Sequence, residues 1–215
     1  MAGVAIFELS KMTNQAHFFS KTSGTREEIL ESTFHALCEY GYAELTISKI
    51  GDHFDKSQSL IYHHYENKDD LLLDLLEYML EELESQVPIS TQSPRDYMNE
   101  IIDEIFGDTD GSNVQFSKAV LELRAQTAHN EEYRELFKRS DDFVRKQIAL
   151  VIREGNDQGV FNVEQPKQAA ALFQTVIVGI QAQQTTDDMN MIGSTKSEFQ
   201  RYVDQCLLSS TEGEK

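Results

Sequence analysis

Cysteine is nearly missing from this chain: among 215 residues only Cys38 and Cys206 occur. They lie far apart within apolar helical patterns. That reads as two buried free thiols in a reducing compartment and excludes a disulfide framework or a cysteine-rich metal site. Chain breakers are also scarce. Three prolines and 11 glycines interrupt long apolar periodicities, which favours helices over short strands joined by turns. No apolar run approaches the roughly 18 residues needed to cross a bilayer. The short apolar stretch at residues 4–9 has no basic leader, so the expected location is the cytoplasm. Basic residues are outnumbered as well, 19 Lys and Arg against 37 Asp and Glu, a formal net charge of −18. Such a balance favours solubility and opposes attraction to phosphate. It suits a cytoplasm of high ionic strength, where the screening length falls to about 3 Å at 1 M salt. A halophilic source is the expectation, with an ordinary acidic protein as the alternative.

With 40% hydrophobic residues there is enough apolar material for one large or two modest cores. Residues 1–24 show no sustained period and are expected to be a loosely ordered extension. Thr25 and Glu28 have capping-box spacing, and the stripe Ile29/Leu30, Phe34, Leu37/Cys38 follows until Gly41 ends the helix. Thr46 caps a short helix carrying Ile47, Ile50 and Phe54. Ser57 caps another carrying Leu60, Ile61 and the core ring of Tyr65. Asn67, followed by two aspartates, opens a long helix to about residue 86. Pro94 starts a helix ending near Phe106, residues 107–113 form an acidic loop, and 114–127 form the next helix. Asn130 caps a longer one reaching Gly155, Gly159 turns the chain, and Pro166 starts another. The last helix, about 195–209, has the stripe Phe199, Tyr202, Val203, Cys206, Leu207. The expected fold is all-α with about nine helices.

Two short helices joined by a tight turn behind a longer one are the helix-turn-helix arrangement, whose last helix enters the DNA major groove. The order of residues is more specific. Thr46-Ile47-x-x-Ile50-Gly51, then Ser57-x-x-x-Ile61-Tyr62-x-His64-Tyr65-x-Asn67-Lys68-x-x-Leu71, resembles the TetR family of transcriptional regulators. Gly155-x-x-x-Gly159-Val160-Phe161 before Pro166 resembles that family's bend ahead of its dimerisation helices. Two departures stand out: Phe54-Asp55 replaces the small residue and glycine common in the family's turn, and the recognition segment lacks arginine.

The resemblance implies a DNA-binding domain at 25–71 and a ligand-binding and dimerisation domain at 72–215. It implies base contacts from Lys56, Gln58 and Ser59. Gln can pair with adenine through two hydrogen bonds, and Ser can donate or accept. It implies phosphate contacts from Thr46, Tyr62, His63 and Lys68. A small-molecule pocket would be lined by Phe106, Phe116, Leu121, Arg124, Phe137 and Phe173. The last two helices, about 167–186 and 195–209, would pair with those of a second copy, Ala170 and Gly179 permitting close approach. The implied activity is repression of an operator, relieved when a ligand shifts the recognition helices apart. No cofactor, metal or membrane partner is expected. Adjacent histidines on a short helix diverge, and no Glu-x-x-His pair, nucleophile elbow, phosphate loop or zinc spacing suggests an enzyme. The competing reading is a helical sensor or adaptor without sequence-specific DNA binding. It is motivated by the ten acidic against four basic residues of segment 25–71.

Overall fold

The computed structural model describes residues 19, 24–85, 93–106, 111–186 and 189–207, with only the backbone of 104, 111–116, 189–190 and 206. The fold is all-α, with nine α-helices among the described residues: α1 (Thr25–Glu44), α2 (Ile47–Asp52), α3 (Gln58–His64), α4 (Lys68–Ser85), α5 (Pro94–Ile105), α6 (Gly111–Gln126), α7 (Glu131–Asp157), α8 (Pro166–Gln184) and α9 (Met189–Tyr202). A π-helical turn, Val203–Leu207, follows α9. The described residues pack as two compact units. One comprises α1–α4, α6 and the start of α7; the other comprises α5, the remainder of α7, α8 and α9.

In the first unit the α1 stripe Ile29, Leu30, Phe34 and Leu37 is buried together with Ile50, Ile61, Leu71, Leu72 and Leu75. Phe19, within the expected loose extension, also belongs to this core, its ring stacked on Tyr78 at 5.4 Å. The other residues of 1–23 lie outside those described. The Thr25–Glu28 capping box does not form. Gly24, in extended conformation, is the N-cap, and the Glu28 carboxylate pairs with Lys56 instead. Gly41, at φ 71°, breaks α1 where expected, but one further turn continues to Glu44.

In the second unit Ile102, Ile152, Ala170, Phe173, Phe199 and Val203 form the centre of the core. Asn130 caps α7 as its sequence indicates, accepting from Glu132 N at 2.8 Å. Gly155 does not end that helix, which runs two residues further to Asp157. Its role is steric: a Cβ there would sit 2.0 Å from Cδ2 of Phe161. The stop comes at Gly159, φ 72°. Asn156 then closes the bend, exchanging hydrogen bonds with the backbone of Val163 at 2.8 and 3.0 Å. Two other boundaries move. Residues 111–113 are the first turn of α6 rather than loop, while 107–110 lie outside the described residues. The last helix starts at Met189 and widens into the π turn, where Asn162 N donates to Leu207 O at 2.8 Å. Residues 208–209 lie outside the described set.

Candidate nucleic-acid interface

Helix α2 is six residues long and is held by its ends and one buried side chain. Thr46 Oγ1 accepts from Lys49 N at 3.2 Å, and Ile50 is buried. The turn to α3 closes through His53 N to Ile50 O and Phe54 N to Gly51 O, at 3.1 and 3.2 Å. Phe54, bulky for such a turn, is buried in the core, which accounts for an apolar residue there. Ser57 opens α3, its Oγ accepting from Ser59 N at 3.4 Å. Within α3 only Ile61 is buried. Gly51 lets the two helices approach: a Cβ there would meet Gln58 Cγ at 3.1 Å.

This packing leaves Thr46, Lys56, Ser59, Tyr62 and His63 exposed and Gln58 and Lys68 half-buried. Tyr62 is the most exposed large apolar side chain among those described, at 60%. Ser59 Oγ shares a hydrogen bond with Ser57 Oγ at 2.8 Å. The His63 and His64 rings stand nearly perpendicular, at 78°. Tyr65 is half-buried, its hydroxyl donating to Asp74 Oδ2 at 2.5 Å.

Each cation of segment 25–71 is engaged within its own unit. Arg26 forks onto Asp74, with Nε at 3.0 Å from Oδ2. Lys49 donates to Glu44 O at 2.7 Å and lies over the Tyr40 ring. Lys56 pairs with Glu28. Lys68 donates to Tyr42 O at 2.9 Å and to Leu45 O at 3.4 Å. Thus Lys56 and Lys68, both expected at DNA, already have acceptors. The uncommitted hydrogen-bonding capacity here is weighted toward neutral hydroxyls and exposed imidazoles.

Two polar hubs were invisible to sequence periodicity. In one, the Asp74 carboxylate receives Arg26 of α1 and Tyr65 after α3; it drives the Arg26 pKa further up, while burial first and Asp74 second raise that of Tyr65. In the other, Asp69 Oδ1 accepts from Tyr42 and Tyr133 hydroxyls at 3.0 and 3.3 Å. Burial, followed by Asp69, raises the pKa of both tyrosines. The hydroxyl-bearing rings in otherwise apolar stripes were the available signal, because a buried Tyr needs a polar partner.

The six residues expected to line a pocket fall in both units. In the second, Phe173 is fully buried and meets the Phe199 ring edge-on at 4.8 Å. Phe106 lies 5.9 Å from the same ring. In the first, the Arg124 guanidinium stacks over Phe137 at 4.5 Å, and Leu121 is half-buried. The Phe116 side chain lies outside the described residues. Ala170, expected at a close helix approach, is fully buried in its own protomer's core. On α8 the exposed small residues are Ala171, Thr175 and Gly179, one turn apart. Cys38 is a free thiol whose burial pushes its pKa up to about 12.

Residues 29–75 match the family model of the bacterial regulatory proteins of the tetR family, and residues 94–207 match that of the C-terminal part of BetI-type transcriptional repressors. Among curated proteins, the chain is similar to the HTH-type transcriptional regulator BetI of Stenotrophomonas maltophilia, 30% identical over 88 residues, covering 39% of this chain and 45% of that one. It is similar to the transcriptional repressor AcnR of Corynebacterium jeikeium, 40% identical over 48 residues, 22% of this chain and 25% of that one. The matches thus span less than half the length of these curated relatives. A solved TetR transcription regulator from Haloarcula marismortui superposes with a TM-score of 0.74 at 33% identity, covering 85% of this chain and 97% of that one. A transcriptional regulator from Saccharomonospora viridis, solved in complex with choline, shares the fold with a TM-score of 0.72 at 20% identity, covering 86% and 97%.

Proposed function

Because this chain belongs to the TetR family of transcriptional regulators, we propose that it is a homodimeric repressor that grips operator DNA through residues 25–71 and lets go when a small molecule enters residues 72–215. The observation that carries this reading is the presentation of α3. Ile61 anchors the helix in the core, while Ser59, Tyr62 and His63 stand in solvent. In the proposed complex Gln58 and Ser59 face base edges, and Lys56 joins them by exchanging Glu28 for DNA. Thr46, Tyr62, His63 and Lys68 hold phosphates and fix the register. Two copies place their α3 helices one helical turn of DNA apart, roughly 34–36 Å, by pairing the helices α8 and α9.

The effector site is proposed within residues 72–215; the expected lining residues divide between the units, Phe106 and Phe173 in one and Leu121, Arg124 and Phe137 in the other. The BetI-type C-terminal match and the choline bound to a protein of the same fold make choline the first compound to assay. A cytoplasmic setting of high salt accords with the net charge of −18. The test is to map the genomic sites the full-length protein occupies, then titrate a gel shift on one such site with choline. Site-specific binding that Tyr62→Ala abolishes supports the reading. Occupancy without sequence preference favours the adaptor, a reading motivated by the engagement of every Lys and Arg of 25–71.

A further inference from the structure

Tyr42 is held at each of its polar atoms. Its amide donates to Glu122 Oε2 of α6. Its carbonyl accepts from Lys68 Nζ at 2.9 Å, and its hydroxyl donates to Asp69 Oδ1 at 3.0 Å. The Lys68 ammonium also lies 4.4 Å from the ring centroid. Asp69 Oδ1 is shared with the Tyr133 hydroxyl of α7. Helices α4 and α6 therefore converge on a single residue of α1, and α7 joins them through Asp69.

The position of that residue gives the convergence a consequence. Gly41 interrupts α1 immediately before it, and the Glu122 carboxylate sits directly on this glycine, 2.8 Å from where a Cβ would be. The break turns the Tyr42 amide toward Glu122. Three residues further on, Leu45 is buried, and Thr46 then caps α2. A short, anchored link thus joins the point gripped by α6 to the start of the helix-turn-helix.

We propose that Glu122 is a positioning residue for operator binding. Its carboxylate fixes the Tyr42 amide, and with it the entry to α2, from a helix outside the helix-turn-helix. This rests on the DNA-binding reading above. Glu122 is exposed, so truncating it leaves the apolar core intact. A useful control is Arg139 on α7, whose Nε donates to Glu84 of α4 at 3.1 Å and which has no link to Tyr42.

The probe is a DNA duplex that the wild-type, full-length protein enriches from a random-sequence pool. Glu122→Ala is expected to weaken binding of that duplex by about tenfold, the loss of one charge-assisted hydrogen bond. Glu122→Gln keeps an acceptor oxygen and is expected to bind within about twofold of wild type. Arg139→Ala is expected to lower the thermal midpoint without changing the affinity. Hydrogen exchange should show the Tyr42 amide opening faster in Glu122→Ala alone. Wild-type affinity in Glu122→Ala, an unchanged Tyr42 amide, or equal losses in the Ala and Gln variants would each overturn the proposal. Failure of the wild-type protein to enrich any duplex would overturn the DNA-binding reading and this proposal with it.

Discussion

His35 and His53 stack at 6.3 Å where α1 meets the end of α2. His53 Nε2 lies 3.1 Å from Glu39, and His35 Nε2 lies 4.0 Å from Glu31. Burial holds the His35 pKa below its ordinary 6.5; Glu31 opposes that shift and the neighbouring His53 adds to it. The unfolded chain therefore takes up the proton first as pH falls. Stability should decline as pH drops from about 6.5 through the lower folded-state value, and level off below it. Urea unfolding of wild type between about pH 7 and pH 5 should show a falling midpoint. His35→Gln should flatten that trend, and an identical pH profile would remove His35 from the explanation.

Helix α3 shows how little an element needs when its neighbours supply the rest. Seven residues are too few for a helix to be stable alone. Ile61 is its only buried residue, and full burial of such a side chain contributes roughly 1.5–3 kcal/mol. Stability and the proposed DNA contact therefore reside in adjacent residues, Ile61 and Tyr62, and can be separated by mutation. Ile61→Ala should cost roughly 2–5 kcal/mol of unfolding free energy and lose DNA binding because α3 loosens. Tyr62→Ala should leave the unfolding free energy within about 0.5 kcal/mol of wild type while still abolishing the gel shift. Equal destabilisation by both variants would contradict this division.

For the molecule as a whole, the net charge and the internal engagement of the helix-turn-helix cations point the same way. Each phosphate neutralised by a cation contributes about −0.9 to the slope of log K against log salt. Arg26 and Lys49 stay with their partners and the proposed complex uses only Lys56 and Lys68 of each protomer at DNA, so few counterions should be released. A slope no steeper than about −4 is expected for a dimer, measured by fluorescence anisotropy across a salt series. A slope near that of a strongly basic repressor would require cations beyond Lys56 and Lys68 to meet phosphate. Assembly can be probed on α8, where Leu172 is 41% exposed and no atom lies within 4 Å of a Cβ built at Gly179. Gly179→Arg fits the protomer freely but would intrude into a helix pair formed by α8. Sedimentation should show monomers with wild-type helicity, and a persistent dimer would move the interface elsewhere.

Helix positions, most caps and the helix-turn-helix were legible in the sequence because each depends on residues within a few positions of one another. Thr46, Ser57, Asn67 and Asn130 all cap through bonds spanning two or three residues. Pro166 starts α8 for an equally local reason, its preset φ. Local signals misled where a distant group competed for the same atom. Glu28 left its capping role for Lys56, 28 residues away, and Gly155 makes room for the ring of Phe161 while the helix stops only before Gly159. The union of Tyr42 with Glu122 spans 80 residues. Periodicity can say that such side chains face inward or outward, but not which charge each one finds. The sequence by itself determined the elements and the residues proposed to meet DNA. Only tertiary packing decided which of those residues are already engaged and what holds the elements in register.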